Sequence, residues 1–263
     1  MVRPTLCLIG VAAALSLAVG ARAQALPDWS GAWQMNGNTV FDHSTVTPAN
    51  GAAGLPGTRE APPYNAEWQA RYEARIKLVA ADRSPDPVTT CGTPAGYPRA
   101  LNAPDAYEFV VRPEQVWIIS ENGPNIVRVY TDGRTHPPAD EVWPTYTGDS
   151  IGHWEGDTLV FDTIGLKGGS ATIIDRTGIA HSDELHVVTR MRRLDDKTME
   201  AQFVLTDPVA FTRPWTARKT YRKLAVGSRV YDYACAENNR NIVTANGKTL
   251  TLGTDGKPID KDR

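Results

Sequence analysis

The sequence predicts a mainly-β domain: an antiparallel barrel with one N-terminal helix and a long N-terminal loop. Three observations point there. Beyond Tyr107 the chain runs in short stretches rich in β-branched and aromatic residues. Turn sequences such as Asn122-Gly123-Pro124-Asn125, Glu155-Gly156 and Asp195-Asp196-Lys197-Thr198 separate them at short, regular spacing. One stretch only, Ala66 to Ala81, carries a helical stripe. A closed barrel of about eight strands can enclose one small ligand.

The ends and totals narrow the classes. Residues 1–23 read as a secretory signal peptide, with Arg3 as its charged start, an apolar run from Leu6 to Gly20 and an Ala21-Arg22-Ala23 cleavage site. Cys7 sits ahead of most of that run, unlike a lipid-attachment cysteine. No other apolar run is long enough to span a membrane, so residues 24–263 are expected as a single β-barrel domain, periplasmic or secreted. Removing Arg3 and Arg22 from the 28 basic residues leaves 26 against 30 acidic ones, a mature net charge of −4. With no basic cluster, nucleic acid and anionic membrane surfaces are unlike partners for this chain. The two cysteines left in the mature chain, Cys91 and Cys235, are expected to form one disulfide, as suits an exported protein.

Taken in order, Pro27 to Trp33 opens the mature chain, and Gly31-x-Trp33 resembles the first strand of lipocalins and other calycin barrels. Residues 36–60, rich in Gly, Pro, Asn and Thr, read as loop. The helix spans 65–81 with Asn65 as its cap, Glu67 and Arg71 as an i,i+4 pair, and Trp68, Tyr72, Arg75 and Val79 as its stripe, laid across one barrel end. Asp82 to Pro98, with four prolines and Cys91, reads as an ordered loop pinned by the disulfide. Glu108 to Arg112 is a strand, and Val116 to His136 a hairpin in which Glu121 pairs with Ile126, Ile119 with Arg128 and Trp117 with Tyr130. One face then carries Trp117, Ile119, Glu121, Ile126, Arg128 and Tyr130, and the other Val116, Ile118, Ser120, Val127 and Val129. The second face is core. The first reads either as a ligand-pocket lining or as a solvent-facing surface with an ion pair. Thr131-Asp132-Gly133-Arg134 makes a turn, and Ile151 to Thr163 a second hairpin. Leu185 to Leu194 with Met199 to Thr206 makes a third, and Thr212 to Arg222 a last strand with Trp215, Ala217, Lys219 and Tyr221 on one face. Residues 241–263 read as a polar tail.

Several of these stretches also carry a combined pattern: Gly148-Asp149-Ser150-Ile151-Gly152-His153-Trp154-Glu155-Gly156-Asp157-Thr158-Leu159-Val160, the Tyr130 to Arg134 turn, Thr212-Arg213-Pro214-Trp215-Thr216, and Cys235-x-Glu237-Asn238-Asn239. It resembles a large family of exported bacterial calycin- or lipocalin-like β-barrel proteins, common in acidobacteria and sphingomonads, over nearly all of Trp29 to Arg240. The resemblance implies an exported β-barrel domain and no particular activity. Such relatives often have Glu in place of Thr189 and an aromatic in place of Met191.

The densest polar cluster is His181-Ser182-Asp183-Glu184-Leu185-His186. Two histidines five apart share no face of a strand or helix, and a third metal ligand would have to arrive from His136 or His153, so neither metal nor cofactor is expected. Acid–base work is easier to support, because a histidine such as His186 can serve as a general acid or base and Glu184 or Glu121 can orient or complement it. The blander reading makes His186 a hydrogen-bonded rim residue. No Gly-x-Ser-x-Gly elbow or phosphate loop is present, and nothing sets Glu121, Asp162 and Glu184 across a sugar. Trp117, Tyr130, Trp154, Phe161, Trp215 and Tyr221 favour an apolar or aromatic ligand, with Arg213 at the barrel mouth or on an edge. The expected function is cofactor-independent lyase or isomerase chemistry on a small apolar or aromatic molecule in a barrel pocket. Glu121 and His186 would serve as acid and base, and Arg128 would orient an oxyanion or carboxylate. Two other readings stand beside it: a periplasmic carrier without catalysis, and a structural envelope domain with a filled core. Nothing in the sequence sets an oligomeric state.

Overall fold

The computed structural model describes residues 25–37, 62–81, 83, 86, 88, 91, 95–121, 126–169, 172–175, 178–231, 241–246, 249–253 and 255–259. Along these run β1 (Ala32–Met35), α1 (Ala66–Ala80), β2 (Ala106–Val111), β3 (Gln115–Ser120), β4 (Ile126–Tyr130), β5 (Asp149–Glu155) and β6 (Thr158–Ile164). They are followed by β7 (His186–Arg193), β8 (Thr198–Thr206), β9 (Trp215–Lys223), β10 (Asn241–Val243) and β11 (Thr249–Thr251). The expected signal segment, most of the 36–60 loop, the turn 122–125 and Cys235 lie outside the described residues.

Alternation builds the barrel. Val116, Ile118 and Ser120 of β3, Val127 and Val129 of β4, and Trp215, Ala217, Lys219 and Tyr221 of β9 are all buried. The residues between them mostly lie at the outer surface. Such a period of two suits a sheet with one face inward, and here β1 through β9 close into one barrel, β1 pairing with both β2 and β9. Gly31 precedes β1 with φ +94, a backbone conformation that side-chain-bearing residues rarely adopt, so the first letter of Gly-x-Trp is a conformational requirement.

Three expectations are corrected. The sheet is not wholly antiparallel: β4 and β5 run parallel, with Val129 opposite Ser150 and Tyr130 opposite Ile151. A parallel neighbour needs a crossover rather than a tight turn, and residues 131–148 supply it. The β3–β4 hairpin is slipped by two residues from the expected pairing, so Ile119 faces Ile126, Trp117 faces Arg128 and Gln115 faces Tyr130. A slip of two leaves every side chain on its own face. The division into two faces therefore stands, but the face with Trp117, Arg128 and Tyr130 is the barrel's exterior. The polar tail, lastly, contains β10 and β11, paired as a separate two-stranded sheet.

Among the described residues, the inward-facing side chains pack into a hydrophobic core around a further segment of the chain. Ala95 to Ala103, read as the end of a loop and the residues beyond it, is buried throughout and includes a turn of 3-10 helix at Arg99–Leu101. Tyr97 hydrogen-bonds Thr189, and Leu101 O accepts from Tyr221 Oη at 2.7 Å. Arg99 is held in a buried bidentate pair with Asp86 at 2.6 and 2.7 Å. Around this segment pack Trp33, Tyr107, Phe109, Phe161, Phe203 and Tyr221.

The helix begins where Asn65 Oδ1 accepts from Trp68 N at 3.1 Å, and it ends one residue before the expected limit. Its N-terminus is fastened to the β8–β9 connection, with Asn65 N donating to Ala210 O at 2.9 Å and Thr212 N to Pro63 O at 2.7 Å. Helix α1 thus meets the end of the barrel at which β8 passes into β9.

Candidate acid–base site on the outer face of the barrel

The register of β5, β6 and β7 brings three polar residues close together on the outer face. Asp162 lies opposite Ile151 on one side and Val188 on the other. Its diagonal neighbours two residues back are Asp149 and His186, which share its face because strand side chains alternate. The parallel pairing of β4 with β5 forces the chain across this surface, and the crossover delivers a fourth residue, His136.

These four groups form one hydrogen-bonded chain. His136 Nδ1 stands 2.5 Å from Asp149 Oδ1, and His136 Nε2 is 2.9 Å from Asp162 Oδ2. The same Asp162 Oδ2 lies 3.2 Å from His186 Nε2. His136, in the middle of the chain, is the most buried side chain at 19% exposed, against 30% for Asp149, 38% for Asp162 and 41% for His186 at the far end. An ionised carboxylate only accepts hydrogen bonds, so both carboxylates call for N–H donors on the imidazoles. For His186 this selects the tautomer with its proton on Nε2, leaving the Nδ1 lone pair free to act. Among the described residues, Nδ1 of His186 has no hydrogen-bond partner.

The rim is mixed. Ile151, Ile164 and Val188 are the apolar neighbours in register, and Tyr130 stands opposite Ile151 across the parallel pair. Arg134 lies over the Tyr130 ring at 3.9 Å and is bound by Asp132. Asp132 is the main cause that raises the Arg134 guanidinium's pKa, with Asp149 as a further contributor. Arg134 therefore belongs to the electrostatic surroundings of the array. Among the described residues, no group of three His, Cys, Asp or Glu is placed to hold a metal ion.

No family model, curated protein or solved structure matches this chain. The geometry therefore has to carry the functional reading.

The residues singled out from the sequence scatter. Glu121 sits past the end of β3, accepting from Ala106 N at 3.2 Å and Tyr231 N at 3.0 Å, so it ties the C-terminal segment to the barrel. From β3 to β7 is four strand spacings, about 19 Å around the barrel, so Glu121 and His186 do not form a pair. Arg128 is exposed on the outside of β4 opposite Trp117. Glu184 is exposed in the turn before β7, its N–H donating to Ser182 Oγ at 3.0 Å. Trp215 and Tyr221 belong to the buried interior, while Trp117 and Tyr130 lie outside and Arg213 is exposed at the β8–β9 end. Divided between the interior and the outer surface, these residues do not converge.

His181, the other histidine of the cluster, is buried and structural, bonded to Thr172 Oγ1 at 3.0 Å and Ser182 O at 2.8 Å. His153 is exposed beside Glu155. Of the expected residues, His186 alone belongs to the array. Asp162 was visible only as one of three carboxylates with no geometry, and His136 only as a possible third metal ligand. Asp149 carried no signal beyond its place in the Gly148 to Val160 pattern.

Proposed function

We propose that this chain is a cofactor-independent acid–base enzyme of lyase or isomerase type, working at the Asp149–His136–Asp162–His186 array. The observation that carries the reading is the hydrogen-bonded chain that fixes the tautomer of His186 and leaves its Nδ1 at the partly exposed end. His186 Nδ1 is the base that takes a proton from carbon next to an electron-withdrawing group. Asp162 orients the ring and stabilises the imidazolium that forms, the role a carboxylate plays behind a catalytic histidine. His136, donating to Asp162 and itself held by Asp149, keeps that carboxylate in place. Arg134, which stands over Tyr130 and interacts electrostatically with Asp149, takes the place of Arg128 as the group to receive an oxyanion. Return of the proton to a neighbouring carbon gives isomerisation, and departure of a leaving group gives elimination. The apolar rim suits a small apolar or aromatic molecule.

The same proposal keeps a calycin-like barrel, export to the periplasm or medium, and a Cys91–Cys235 disulfide. Supporting the last, Cys91 and Cys235 are the two cysteines left once residues 1–23 are removed.

The test is a mass-spectrometric comparison of an aromatic and apolar metabolite extract before and after incubation with the mature protein. A new product is expected from the wild type, and both His186→Ala and Asp162→Asn are expected to slow its formation by about 10²–10⁴-fold. A compound depleted and recovered intact on denaturation would identify a carrier instead. Product formed at full rate by both variants would remove the array from the mechanism.

A further inference from the structure

Beneath α1 the barrel end holds a cavity of about 180 Å³, formed by residues outside the acid–base array. Its walls are the rings of Tyr64, Trp68 and Tyr72, with ring centroids 6.1 Å apart for Tyr64–Trp68 and 5.8 Å for Tyr64–Tyr72. Its floor, at Gly169, Gly178 and Ala180, is nearly bare backbone. At Gly169 an added Cβ would meet nothing within 4 Å, so the space above it is open.

Arg75 gives this aromatic slot its polarity. Its Nη2 donates to Gly169 O at 3.2 Å, whereas Nη1 is buried without a hydrogen-bond partner among the described residues. One turn earlier Arg71 lies over Trp68 at 4.9 Å and is engaged by Glu67 on the helix surface. Among the described residues no carboxylate lines the cavity; Glu67 engages Arg71 of its wall from the helix surface, and Asp175 acts on Tyr64. A desolvated guanidinium with an unused donor is a costly arrangement that an anion relieves. A guanidinium also matches a carboxylate edge to edge, through two parallel N–H donors. As for size, an apolar cavity of about 150 Å³ accepts a benzene ring, so the present volume takes one ring with a small substituent.

We propose that the cavity under α1 binds a small aromatic carboxylate, its ring among Tyr64, Trp68 and Tyr72 and its carboxylate on the Arg75 guanidinium. The site stands apart from the acid–base reading and does not depend on it. A neutral aromatic would leave Nη1 unsatisfied, and an inorganic anion would leave the aromatic walls unused.

Isothermal titration calorimetry on the mature full-length chain, with benzoate and benzyl alcohol as probes, tests it. Benzoate is expected to bind saturably at one site, and benzyl alcohol roughly tenfold more weakly or worse. Arg75→Met, checked for an unchanged melting temperature, is expected to lower benzoate affinity by at least about tenfold and to leave benzyl alcohol where it was. Ala180→Val narrows the slot without touching the charge and is expected to weaken both probes together. The proposal is overturned if benzoate shows no saturable binding to the wild type. Equal benzoate binding by Arg75→Met, or by Ala180→Val should Arg75→Met not fold, overturns it as well.

Discussion

Buried polar residues of the His181 to His186 cluster illustrate how one short sequence divides its labour. His181 sits wholly inside, and burial, outweighing its hydrogen bond to Ser182 and the nearby Asp207 and Asp183, holds its pKa below the ordinary 6.5. The folded protein thus keeps this ring neutral where an unfolded chain would already bind a proton. Stability from this group is complete above about pH 6.5 and falls as pH drops below it, since the unfolded state then gains protons the folded state refuses. Urea midpoints at pH 7.5 and 5.5 are expected to differ less in His181→Asn than in the wild type. An identical pH difference in both would assign the acid sensitivity to other groups. Asp207 is the second case: buried, it accepts from Ser182 N and Oγ at 2.7 Å each, Val209 N at 3.1 Å and Ala210 N at 2.9 Å. Asp207→Ala strands several donors at once and is expected to cost about 3 kcal/mol in chemical denaturation. A cost below about 1 kcal/mol would mean that water replaces the carboxylate.

At the scale of elements, pairing decides the candidate site. Asp149 and His186 reach Asp162 only because β5 and β7 flank β6 in one particular register. A shift of one residue in either would turn a member of the array inward. The start of β5 is set by Gly148 at φ +69, where a Cβ would lie 2.5 Å from Ile164 O and 2.7 Å from Thr163 Cγ2. Both obstacles belong to β6, so Gly148→Ala pushes the strand bearing Asp149 away from the strand bearing Asp162. The variant is expected to lose about 2 kcal/mol of stability and a larger share of turnover than that loss explains at a temperature where it remains folded. Turnover preserved in a folded Gly148→Ala would show that the array tolerates displacement of β5. A similar close approach fastens the cluster to the loop before it. A Cβ on Gly168 would meet Ser182 C at 2.4 Å, and Gly168 N donates to Asp183 Oδ1 at 2.7 Å. Gly168 thus has a packing role, whereas Gly169 beside it borders open space.

Over the whole molecule, the segment 95–103 settles what the barrel can do. A closed barrel of this size has room for side chains or for one small ligand. Here the room is taken by Tyr97, Leu101 and the aromatic layer around them. Leu101→Ala is expected to open a cavity and to lower stability by about 3 kcal/mol, read from denaturant midpoints at unchanged m-value. A cost under about 1 kcal/mol would show that the interior collapses around the gap. The acid–base chemistry and the aromatic-carboxylate binding proposed above both lie outside this packed interior, at the exterior of β5–β7 and at the end covered by α1.

Much of this architecture was legible in the chain. Alternation, turn chemistry and the Asn65 cap act between residues a few positions apart, so they can be read from neighbours alone. They predict β3 and β4, the β5–β6 and β7–β8 hairpins, the inward row of β9, and α1 to within one residue. The inward and outward sets of the β3–β4 hairpin were legible too, since a two-residue slip does not change faces. Which set would face a ligand was not, because alternation separates two faces without saying what covers each. The parallel entry of β5, the burial of 95–103 and the arrival of His136 beside Asp162 depend on contacts between distant parts of the chain. Only closure of the sheet brings those parts together, and no local pattern encodes the path by which it closes.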